Sequence, residues 1–126
     1  MPKDQRASLG KKGEDIAAGF LEGIGFRVLE RNWKYGRKDI DIVCEDGKTI
    51  VFVEVKAVGS EEFNFPFERV NRRKQKNISQ VAEFFIQQRN CSGCEFRFDV
   101  VAIDTRGGSA RIRHIRNAFM VPEPGW

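Results

Sequence analysis

No apolar run in this chain approaches the ~18–20 residues that cross a bilayer, and the opening segment MPKDQRASLGKKGED lacks the apolar core of a secretory signal. Together these exclude a helical membrane protein and place the expected home in the cytosol. Cysteine is scarce, at three, and histidine appears once. That excludes a disulfide framework and fits free thiols in a reducing compartment. Cys91 and Cys94 have the spacing of half a zinc knuckle, which Cys44 and His114 could complete. The second paired motif that makes such sites persuasive is missing, so the better reading is a flexible turn with incidental thiols. Repeats, low-complexity tracts and linkers are also absent, and 126 residues suit one domain, residues 1–126.

Charge is abundant. Lys and Arg number 22 against 18 acids, a net charge of +4 that favours a polyanionic partner without requiring one. The cations concentrate at Arg69, Arg72, Arg73, Lys74 and Lys76. Such a cluster is often only a solvated helix face.

Ile16, Ala17, Phe20, Leu21 and Ile24 recur at helical spacing after a polar N-terminal arm, and Gly23 and Gly25 close the segment. On this helix Glu14 shares a face with Ala17, Ala18 and Leu21, an inward position for an acid. A simpler reading has Glu14 favouring the helix N-terminus electrostatically. Phe26 to Trp33 reads as a strand. Ile78, Val81, Ala82, Phe84 and Phe85 mark a second helix from Arg69 to Arg89, with the basic cluster in its first turns, where cations oppose the helix dipole. Phe96 to Ile103 and Ala110 to Ile115 read as the last two strands. Gly59 to Pro66 reads as a loop and MVPEPGW as a proline-broken tail, leaving a core of about residues 10–115. Phe63, Phe65 and Phe67 alternate through the loop. They admit a dimer contact, although phenylalanines so spaced are more often buried. The order αβββαββ implies an α/β fold with a mixed central sheet flanked by helices, the second helix crossing between the third and fourth strands.

The segment Asp39 to Lys56, DIDIVCEDGKTIVFVEVK, sets acids and a lysine into an apolar hairpin. With Asp46 and Gly47 as the turn, Glu45 opposes Lys48, Val43 opposes Ile50, Asp41 opposes Phe52 and Asp39 opposes Glu54, and Lys56 shares their face. Opposed carboxylates are destabilising unless compensated. A divalent cation such as Mg²⁺ or Mn²⁺ would compensate them, with Lys56 orienting water or stabilising phosphorane charge. From the hairpin alone, a salt-bridged, solvated face with Lys56 on Glu54 is the better reading of so short a pattern.

Several motifs in order, Gly13-Glu14-x-x-Ala17, Arg31-Asn32, Asp39-Ile40-Asp41-Ile42-Val43, Val51-Phe52-Val53-Glu54-Val55-Lys56, Lys74 eight residues before Ala82, and Arg97-Phe98-Asp99-Val100-Val101, resemble the YraN-like family of small bacterial proteins. The likeness covers about residues 10–104. It implies a restriction-endonuclease-like fold similar to Holliday-junction resolvases, and a metal-dependent endonuclease acting on DNA, including branched DNA. Carried over, it implies Glu14, Asp41 and Glu54 as ligands of Mg²⁺ (or Mn²⁺), Lys56 as the catalytic lysine and Lys74 on a phosphate. Arg69, Arg72, Arg73 and Lys76 join Lys74 as the expected nucleic-acid grip, and dimeric action on four-way DNA becomes an expectation. The alternative is a binding module of the same fold without the chemistry. Members usually carry Gly-Glu where this chain has Lys38-Asp39, and an arginine where it has Val58. Both departures border the four core positions.

Overall fold

The computed structural model describes residues 3–59, 63–64, 71–90 and 93–119, with side chains from residue 11 onward. Five strands form one sheet in the order β1-β2-β3-β4-β5: β1 Arg27–Tyr35, β2 Lys38–Asp46, β3 Thr49–Ala57, β4 Glu95–Asp104 and β5 Arg111–Phe119. Only β3 and β4 run parallel, joined across the segment that contains helix α2, Arg72–Gln88. Helix α1, Lys3–Gly23, precedes the sheet. The sequence order αβββαββ is thus the observed one, an α/β domain of restriction-endonuclease-like topology.

β3 is central, and its run Ile50-Val51-Phe52-Val53 is buried on both faces, as an inner strand must be. Even positions face α2, where Ile50 and Phe52 pack with Ile78, Val81, Phe85 and Phe98. Odd positions face α1, where Val51 and Val53 pack with Ala17, Leu21, Ile42 and Val101. The helices therefore cover opposite faces.

α1 ends as its glycines require. Gly25, at φ 98°, carries the left-handed turn, and the Gly25 and Phe26 N–H groups donate to Glu22 and Leu21 carbonyls at 3.0 Å each. Leu21 and Phe26 then pack in one core cluster, the apolar contact that accompanies this cap. The start of α1 corrects the sequence reading. The helix begins at Lys3, so the polar arm is its first half and Glu14 lies mid-helix, away from the N-terminal dipole.

The β2–β3 register also differs from expectation. Asp46 pairs with Thr49, Val43 with Phe52 and Ile42 with Val53, so Gly47 and Lys48 are the turn. Gly47 alone has positive φ there, 61°, the sign pattern of a type II′ turn with glycine first. The expected pairs Glu45–Lys48, Val43–Ile50, Asp41–Phe52 and Asp39–Glu54 are replaced. A slip of two residues preserves every side chain's face.

β5 runs to Phe119 rather than stopping near Ile115. Asp99, fully buried, accepts from Arg97 Nε at 3.0 Å, lies 2.7 Å from His114 Nε2, and accepts from the Asn117 N–H at 3.0 Å across a bulge. Phe119 stacks on Phe98 at 5.0 Å. Those ties extend the strand. Among the cysteines of the described residues, Cys44 is a buried free thiol, while Cys94 is disulfide-bonded. The expectation of free thiols throughout is corrected at Cys94.

Candidate active site

The sheet divides at one place. β2 stays paired with β1 as far as Tyr35 and Lys38, and β3 stays paired with β4 as far as Ala57 and Ile103, but β2 and β3 pair only up to Ile42 and Val53. Asp41 lies just past that point. Ile40 packs under α2 and Ile42 under α1, so the alternation of faces breaks at Asp41. Its Oδ2 accepts from the Val55 N–H at 2.8 Å, taking a ladder bond that the diverging strands no longer make.

Beside it, Glu54 projects from β3 on the α2 side and is 6% exposed. Its Oε1 is 3.5 Å from Lys56 Nζ and 3.0 Å from Lys74 Nζ. The turn of α2 that carries Lys74 is set by Asn71, whose side chain accepts from the Lys74 N–H at 2.9 Å. The Lys56–Glu54 pair of the bland sequence reading is real, and Lys74 makes it a triplet.

Burial, then the charge of Glu54, pushes the Asp41 carboxyl up to about 7, against the Val55 hydrogen bond and with Asp39 adding to the effect. Burial works against the Lys74 ammonium, but Glu54, Asp41 and Asp39 outweigh it and raise its pKa. The acids thus exceed what the local cations neutralise.

Glu14 enters from α1. It is 8% exposed, and its Oε1 accepts from Arg31 Nε at 2.9 Å and Asn32 Nδ2 at 3.2 Å. Arg31 also bonds Asp15. Glu14, Arg31, Asn32, Asp41 and Val55 line one open cleft of about 620 Å³. The structure thus brings Glu14 and Asp41 to one cleft, and Glu54, Lys56 and Lys74 into direct contact beside Asp41. Among the described residues, no three His, Cys, Asp or Glu side chains stand close enough to hold a metal as they are placed. The donors, all carboxylate oxygens, fit a hard divalent cation such as Mg²⁺ in chemistry.

Arg72, Arg73 and Lys76 are exposed along α2; Arg69 lies outside the described residues. Of the aromatic loop, Phe63 sits under the Arg111 guanidinium at 4.6 Å, while Phe65 and Phe67 lie outside the described residues. Sequence reasoning quoted Arg31 and Asn32 as motif residues without giving them a role. Their signal was an arginine-asparagine pair in a strand beside an inward acid, and Asn32 adds a φ of 49°.

Fold and cleft together define a restriction-endonuclease-like α/β domain with an acidic and lysine-bearing seam. The chain belongs to the uncharacterised protein family UPF0102, whose sequence profile matches residues 13–103, in agreement with the YraN-like motifs. The UPF0102 protein of Geobacter metallireducens is 45% identical over 113 residues, covering 89% of this chain and 92% of the relative. That of Desulforapulum autotrophicum is 43% identical over 117 residues, 93% and 97% of the two chains. That of Caldicellulosiruptor saccharolyticus is 38% identical over 116 residues, 90% and 98%.

Proposed function

We propose that this protein is a metal-dependent endonuclease that hydrolyses DNA phosphodiesters, branched or otherwise structured DNA included. The observation that carries the reading is Asp41. A half-buried carboxyl at the split of the sheet, raised first by its loss of solvent and then by its neighbour Glu54, is an arrangement that costs stability and is eased by a divalent cation. Asp41 and Glu54 would hold Mg²⁺ (or Mn²⁺), with Glu14, which shares the cleft with Asp41, as the third carboxylate. Bound there, the cation supplies Lewis-acid charge to the phosphate. Lys56, a quarter exposed beside Glu54, positions the water and stabilises charge on the phosphorus oxygens. Lys74 meets a neighbouring phosphate, and Arg72, Arg73 and Lys76 extend the grip along α2.

The test is cleavage of labelled linear, flapped and four-way DNA in Mg²⁺, Mn²⁺ or EDTA. Metal-dependent cutting that ranks the three substrates supports the reading, and absence of cutting with every metal and substrate contradicts it. A second reading has its own support. The cations of α2 need no metal to bind phosphates, so salt-sensitive binding that EDTA leaves intact, without cutting, favours a binding module of the same fold.

A further inference from the structure

The turn between β1 and β2 takes no part in the chemistry above. It reads Lys34-Tyr35-Gly36-Arg37-Lys38, three cations and the chain's only tyrosine with no acid among them. Gly36, at φ 64°, makes the reversal, and Tyr35 pairs with Lys38 at its tip. Tyr35 is 45% exposed even though its ring stacks on Phe84 of α2, at 4.2 Å between centroids and 23° between planes. Phe84 lies 5.7 Å from Trp33, which meets the buried Phe85 at 5.1 Å. The tyrosine is therefore the outermost tier of an aromatic stack rooted in the core, held in place with much of its surface in water.

Cations outnumber acids around it, with Asp39 the acid that pairs across the strands with Lys34. Lys34 and Arg37 are exposed and make no ion pair among the described residues. Lys38 bonds Gln80, tying the turn to α2. Arg73, Asn77, Gln80 and Phe84 recur at helical spacing along one stripe, with Lys76 one turn before Gln80. Lys74, at Glu54, and Phe84, under Tyr35, are ten positions apart, about 15 Å along the helix. Exposed cations thus lead from the carboxylates to the aromatic tier.

A polyanion with planar groups matches that surface. Paired bases keep their faces inside the duplex, so a protein ring takes a base only from an unpaired strand. We propose that Tyr35 is a stacking platform for an unpaired nucleobase of DNA, with the strand's phosphates along Lys34, Arg37, Arg73 and Lys76. This rests on the DNA reading above and narrows its substrate to DNA with a single-stranded arm or gap.

The test is equilibrium binding of the full chain in EDTA, so that no cutting intervenes, to labelled oligo-dT and to a blunt duplex of equal length. Wild type is compared with Tyr35→Ala and Tyr35→Phe, and a 2-aminopurine placed in the single strand reports stacking. Tyr35→Ala is expected to weaken oligo-dT binding by about five- to 150-fold and abolish the 2-aminopurine quench, while duplex binding stays within about twofold and Tyr35→Phe restores both signals. Equal losses on the two DNAs, or no loss on oligo-dT, overturn the platform. If Tyr35→Ala instead leaves DNA binding alone and abolishes self-association in light scattering, the ring is a protein contact and the proposal falls. Wild type that binds neither DNA overturns the DNA reading as well; DNA binding indifferent to Tyr35 overturns the platform alone.

Discussion

Asp41 is strained by its surroundings, and its titration gives that strain a measurable form. In the metal-free fold its pKa is pushed to about 7, whereas the unfolded chain keeps the ordinary 3.8. A raised carboxyl stabilises the fold below its unfolded value, and that contribution is lost as pH rises through the folded one. The difference corresponds to about 4 kcal/mol at most. In EDTA, Asp41→Asn is therefore expected to melt above wild type at pH 8 and level with it near pH 4. Equal melting at both pH values would remove the strain assigned to Asp41. The shared face of Glu54 and Lys56 was legible from strand alternation alone, whereas the place of Asp41 was not, because the alternation breaks where β2 leaves β3. The register was not, because a slip of two residues leaves faces unchanged. Nor was Arg31 as the partner of Glu14, a contact that depends on how α1 crosses β1.

At the scale of the element, α2 sets binding against stability. Its first turn holds Arg72, Arg73 and Lys74 and no acid, so cations face the positive end of the helix dipole. Arg73→Glu is expected to stabilise the protein by about 0.3–1 kcal/mol in urea unfolding while weakening DNA binding. Movement of both in the same direction would show that Arg73 serves the fold. The apolar period of Ile78, Val81, Ala82 and Phe85 made this helix legible. Its start at Arg72 was not, since the cap Asn71 leaves no trace in that period. β5 makes the same point. Its last residues are held by Asp99, which the sequence offers only as one acid in a strand. Burial opposes the Asp99 charge, but His114, Arg97 and the Asn117 N–H overcome it and lower its pKa. Asp99→Ala leaves His114 and the Asn117 N–H without this partner and Arg97 with Asp46 alone, and is expected to cost about 1–3 kcal/mol in thermal unfolding. A loss under 1 kcal/mol would contradict that role.

Across the whole molecule, two halves of one sheet part at Ile42 and Val53, and the helices bring Glu14 and Lys74 to the opening from opposite faces. No helix among the described residues is long and apolar enough to cross a membrane. If α2 grips phosphates, duplex affinity falls with salt at a slope of about −0.9 per phosphate neutralised, and Arg73→Ala with Lys76→Ala should flatten that slope by about two. An unchanged slope would move the DNA to another surface. The most direct test of the whole account is single-turnover cleavage of branched DNA in Mg²⁺ by wild type, Asp41→Asn and Lys56→Ala at matched, saturating protein. Both variants are expected to bind the DNA and to cut it at least about a hundredfold more slowly, the scale of losing an electrostatic group at a reacting centre. Cleavage by both at the wild-type rate would contradict the assignment of the site.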